Sequence, residues 1–303
     1  MAGETRADMA RRAKVLYGIG MFRFAMLSDP AAARRMAEEG LDLWRELGDK
    51  WWMAVALEYT GLMLAMEGDP QTARARSEDG VALAREVEDP WLLALCLIRL
   101  GDSLKGPDAD AARRALEEGV TVARRVGDKS VLSDGLRELS SLYYLKGELT
   151  EAASLTEEAL ADARAIGSTM DVFLALFQLV IISCLQNDLV KAKSYCFELW
   201  ALGRETGSPM VFLFALMDFG LVACFGGEPG RGVRLLAAFE AFMRQRGMKF
   251  TVERDPTVMI YQQVLEKAQA QLGPEVFAAA QHEGRAMTME QALALATETE
   301  GEE

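Results

Sequence analysis

Apolar positions along the chain recur with helical spacing, and the every-second-residue alternation of a half-buried strand is absent. Short polar marks cut this pattern at regular intervals. The segments LGDKW, VEDPW, VGDKS, IGSTM and TGSPM follow one another at 40, 39, 40 and 40 residues, measured at Asp49, Asp89, Asp128, Ser168 and Ser208. A second set, Asp69, Asp108, Glu148, Asp188 and Glu228, lies between them at spacings of 39 or 40. The period predicts an internal repeat made of two helices.

The marks have a local physical basis. Gly48, Gly127, Gly167 and Gly207 can take the left-handed conformation that ends a helix. The Asp or Ser that follows can cap the next helix with its side-chain oxygen. Pro30, Pro70, Pro90 and Pro229 stand at first helical positions, where a missing N–H costs nothing. The expected first helices are 8–26, 50–66, 90–105, 129–146, 169–186 and 209–226. The expected second helices are 30–47, 70–87, 108–126, 149–166, 189–206 and 229–246.

Small residues recur in one register. Ala33, Ala73, Ala112, Ala152, Ala192 and Gly232 share a position in the second helices, and Gly40, Gly80, Gly119 and Ala159 follow seven residues later. Gly61, Gly101 and Gly220 mark the first helices. This pattern resembles the tetratricopeptide repeat, whose helices approach closely at small residues. Leu199 and Phe239 depart from it at the second small position. Motifs of the ALARELGDxW type, with the endings GRGVRLLAAFEAFMRQRG and YQQVLEKAQAQLGPEVFAAAQHEGRAMTMEQALALA, make the resemblance narrower. They are similar to the C-terminal sensor arrays of bacterial STAND-class signalling ATPases, the LuxR-type and antibiotic-regulator-type transcription activators. The resemblance implies an all-α, right-handed α-solenoid of about six helix pairs with C-terminal capping helices. It also implies a sensor part, or a free-standing relative, of a transcription regulator.

The expected organisation is repeats over 1–250, capping helices over 251–298 and an acidic tail over 299–303. Pro256 to Gly273 reads as one helix, Pro274 starts a short one, and Thr288 with Gln291 has capping-box spacing.

Composition removes several function classes. Lys and Arg total 33 against 46 Asp and Glu, a net charge of −13, which repels phosphate and argues against direct nucleic-acid binding. One histidine, His282, leaves little material for metal sites or Ser-His chemistry. The four cysteines have no CxxC spacing and read as reduced thiols of a cytoplasmic protein. The N-terminal MAGETRADMARRAK has no apolar signal core, and the apolar stretches 172–185 and 210–225 are shorter than the ~20 residues of a membrane span. The Lys-Ser pair of VGDKS and the glycines of GGEPGRG read as turns. No catalytic residue, cofactor or metal site is expected.

The expected function is non-enzymatic binding of a peptide, a protein partner or a small effector. The concave groove lined by first helices would hold it. The polar stripe there is Asp134, Arg137, Ser141 and Tyr144, with Asp102 and Lys105 in the third pair and Glu58 in the second. In the fifth and sixth pairs the stripe is apolar: Phe177, Ile181 and Cys184, then Met217, Leu221 and Cys224. Either the rest of the chain covers these residues or a ligand does. The alternatives are a free-standing protein scaffold and an enzyme with an apolar groove pocket; a homo-oligomer is compatible with the pattern.

Overall fold

The computed structural model describes residues 5–25, 30–66, 69–105, 108–246 and 256–298. Asp255 and the tail 299–303 lie outside the described residues. Among the described residues there are fifteen α-helices and no strand. The bounds of the first twelve fall within two residues of those expected. The chain divides into two compact units, Met1–Leu142 and Tyr143–Glu303.

Unit 1 contains α1 (Arg6–Ala25), α2 (Pro30–Leu47), α3 (Lys50–Met66), α4 (Pro70–Val87), α5 (Pro90–Leu104), α6 (Ala109–Val126) and most of α7 (Lys129–Leu145). The helices pack as the pairs α1/α2, α3/α4 and α5/α6, and each second helix also meets the next first helix. The close approach depends on small residues: Ala73 and Ala112 are buried, and a methyl added to Gly101 would collide with Leu116. The capping aspartates serve twice. One oxygen of Asp89 accepts the Trp91 and Leu92 N–H groups, and the other accepts the Trp51 indole N–H at 2.8 Å. Asp128 caps α7 in the same way and accepts from the Trp91 indole at 3.0 Å. These two marks therefore end one repeat, start the next and tie the two.

Unit 2 continues with α8 (Leu149–Ile166), α9 (Thr169–Leu185), α10 (Leu189–Thr206), α11 (Pro209–Phe225) and α12 (Pro229–Gln245). Then come α13 (Pro256–Leu272), α14 (Pro274–Ala286) and α15 (Met289–Thr297). Helices α9 and α11 are apolar on nearly every face, so they must be covered all round. The C-terminal helices do part of this. Helix α13 packs on α11 and α12, α14 on α12, and α15 on both α11 and α12. Ile260, Tyr261 and Val264 of α13, with Ala292 and Ala296 of α15, enter the same core as Phe239 and Leu216. The Thr288/Gln291 capping box forms, and the Arg231 guanidinium donates to the carbonyls of Leu295, Ala296 and Glu298 at the end of α15.

Candidate functional site

The polar stripe expected in unit 1 forms a chain of charges on α5 and α7. Arg99 meets Asp134 at 2.7 Å, and Asp134 also meets Arg137 at 2.9 Å. Arg137 pairs with Glu138, Glu138 with Lys105, and Lys105 with Asp102 at 2.9 Å. Six side chains alternate in sign, and all are half-buried except Glu138, which is buried. Burial pushes the Glu138 carboxyl up, but Arg137 and Lys105 outweigh it and hold the group well below the usual carboxylate range. Burial dominates at Asp102 and raises it despite Lys105. Asp134 raises Arg99, and the neighbouring carboxylates raise Lys105 and Arg137 against their burial. All three cations stay charged.

The expected residues fall into different environments. Asp102, Asp134 and Arg137 meet in this network. Ser141 is buried and donates its hydroxyl to the backbone carbonyl of Glu138 at 2.6 Å, one turn back in its own helix. Glu58 is buried on α3 beside Gly80 and the Cys96 thiol, with neither carboxyl oxygen hydrogen-bonded to oxygen or nitrogen. Burial raises its pKa well above the ordinary value, although the Arg99 charge opposes this. Tyr144, expected in the polar stripe, instead joins the core of unit 2. Its aromatic ring has more apolar area to bury than the hydroxyl has need of water.

The apolar stripe of unit 2 is interior. Ile181, Cys184, Met217 and Leu221 are buried core, not groove lining, because α9 and α11 have no polar side to leave in water. Phe177 and Cys224 are half-buried, and Phe177 packs edge-on to Phe214 at 5.4 Å. A cavity of about 190 Å³ opens elsewhere in unit 2, over Phe197, Phe219, Val222 and Ala223 and beside Lys193 and Arg231.

Arg99 and Glu138 were not among the expected site residues. A signal for both was present. The tenth residue after Asp49, Asp89, Asp128, Ser168 and Ser208 is Tyr59, Arg99, Glu138, Gln178 and Asp218, polar in five of the six first helices. The last is unusual: Asp218 is wholly buried, neither carboxyl oxygen has a hydrogen-bond partner, and burial raises its pKa well above the ordinary value. Among the described residues no group of His, Cys, Asp or Glu could hold a metal, and no helix is long and apolar enough to cross a membrane.

Comparison with known proteins agrees with this fold. The family model for anaphase-promoting complex subunit 5 matches residues 53–105 and 103–147. No curated protein matches the sequence. A Rap protein complexed with Competence and Sporulation Factor is similar in structure, with 14% identity and a TM-score of 0.68, over 94% of this chain and 74% of the other. Aspartyl phosphate phosphatase F from Bacillus subtilis is similar at 12% identity and a TM-score of 0.65, over 96% and 70%. A signal transduction ATPase with numerous domains and a tetratricopeptide repeat sensor, from Pyrococcus horikoshii, gives 13% identity and a TM-score of 0.53. That match covers 92% of this chain and 45% of the ATPase. The chain is an all-α, tetratricopeptide-like array of helical repeats.

Proposed function

We propose that the protein is a non-enzymatic binding module whose α5/α7 face receives a peptide or an extended segment of a protein partner. The observation that carries this is the alternating charge chain from Arg99 to Asp102. Its members other than the buried Glu138 are half-buried, so they are partly desolvated yet reachable. A ligand with charges of its own can exchange into such a chain without leaving a buried charge unpaired. An extended peptide supplies backbone donors and acceptors to the same side chains. A small charged effector would use the same groups. Repeats 1–250 form the binding body in this reading, and 251–298 its cap. The work of the module is in bacterial signalling, including transcription regulation, and it is cytoplasmic, in keeping with four free thiols. The net charge of −13 leaves nucleic acid to other proteins.

Peptides selected from a random phage-displayed library on the full chain test this. Asp102→Asn and Arg137→Gln should each weaken the selected peptides by roughly tenfold in a calorimetric titration. Selected peptides that bind both variants as tightly as the parent would place recognition on another surface.

A further inference from the structure

Helix α1 repeats the register of α3. A methyl on Gly20 would stand 3.4 Å from the Ala33 carbonyl oxygen, as one on Gly61 would from that of Ala73. Ala13 and Ala54 are equivalent and both fully buried. In this register Val15, Ile19 and Phe22 correspond to Ala56, Thr60 and Met63. The α3 residues are buried, and Ala56 and Met63 pack in clusters with Leu41 and Ala37 of α2. On α1 the same positions are open: Val15 is 57% exposed, Ile19 42% and Phe22 66%. With Met21 they make four of the five exposed large apolar side chains of unit 1 among the described residues. Gly18 lies between them on the helix and faces open space.

The flanks of this face are basic. Helix α1 carries five basic side chains against one acidic, in a chain of net charge −13. Lys14 borders one edge of the stripe and Arg12 the other. Within the chain Arg12 makes an exposed ion pair with Glu39 of its own partner helix α2, and Lys14 lies over the Trp52 ring of α3.

We propose that the exposed face of α1 (Val15, Gly18, Ile19 and Phe22) is a docking seat for an acidic amphipathic helix of a partner protein. The incoming helix lies on α1 as α2 lies on α3. Its apolar stripe, at i, i+4 and i+7, covers Val15 and Phe22. Its acidic flanks meet the basic edges. Gly18 allows the helix axes to come close, as small residues do at the internal contacts. A second α1 would bring like charges together, and a bilayer has no use for the gap at Gly18.

Two synthetic amphipathic helices with one Leu stripe, one flanked by Glu and one by Lys, are titrated against the full chain by fluorescence anisotropy. The Glu-flanked peptide should bind, and bind less in raised salt; the Lys-flanked one should not. Phe22→Asp and Ile19→Asp should weaken binding by roughly tenfold or more. Gly18→Leu should raise the melting temperature, since Gly is the poorer helix former, and still weaken binding. That opposition is not available to a residue with only a structural role. The proposal is overturned if both peptides bind alike or neither binds. It is also overturned if phosphatidylserine vesicles bind the parent and not Phe22→Asp, or if sedimentation shows an oligomer of this chain that Phe22→Asp dissolves.

Discussion

Replacing Asp218 with Asn should favour the stability of unit 2 increasingly, relative to the parent, as pH rises from mild acid to neutral. Asp218 has no exposed surface and no hydrogen-bond partner, so its folded form holds the proton. In the unfolded chain an aspartic acid ionises near pH ~3.9. The folded pKa is raised, so the sign follows directly. Above the unfolded pKa the unfolded chain releases the proton while the folded chain keeps it, and stability falls as pH rises. The loss is about 1.4 kcal/mol for each pH unit until the folded acid also ionises. Asn has nearly the same shape and no such loss. In mild acid the two should differ by no more than the ~1–3 kcal/mol of an unsatisfied amide. From there the difference should swing toward Asn by about 1.4 kcal/mol per unit.

Native-state hydrogen exchange of the α11 amides, between about pH 5 and about pH 8, reads this locally. The comparison cancels Glu58, which has a raised pKa of its own in unit 1. Parallel pH profiles for the two proteins would refute the reasoning, because they would mean that Asp218 titrates alike in both states.

Two further perturbations test the packing. Ending the chain after residue 250 removes α13 to α15 and bares the side chains they cover, each worth roughly 1.5–3 kcal/mol; aggregation or dimerisation should follow in sedimentation, whereas an unchanged monomer would mean that something else covers this surface. Gly101→Ala should destabilise by about 1–3 kcal/mol in denaturant titration, because its methyl meets Leu116 in a filled interface; a neutral outcome would show that α5 and α6 have room to separate.

The repeat was legible because its signals are local. A glycine at positive φ ends a helix whatever surrounds it, and Gly48, Gly127, Gly167 and Gly207 all adopt φ between 62° and 77°. The aspartates cap through atoms two or three residues away. Even the variant mark VEDPW works by the same means, with Glu88 in the left-handed conformation that glycine takes elsewhere. The site was less legible because it depends on which side of a helix is covered, and a lone helix carries no record of its neighbours. Tyr144 shares the spacing of Arg137 and Ser141, yet tertiary burial decides between hydroxyl and ring. Asp102, Asp134 and Arg137 were found by spacing, but their partners Arg99 and Glu138 sit one register position away from the expected stripe.

That register position has two physical outcomes. In α5 and α7 it holds Arg99 and Glu138, each within reach of opposite charges supplied by neighbouring residues. There ionisation is retained at half-buried Arg99 and at buried Glu138, because each charge is paired. In α9 and α11 it holds Gln178 and Asp218 on helices that are apolar almost throughout. Asp218 has no cation to meet, and neutralisation is the remaining way to bury it. The same polar spacing therefore gives a chain of paired charges where the helix keeps a wet side and a cost to stability where it has none. This is why we propose ligand exchange at α5 and α7, and expect pH dependence of stability at α11.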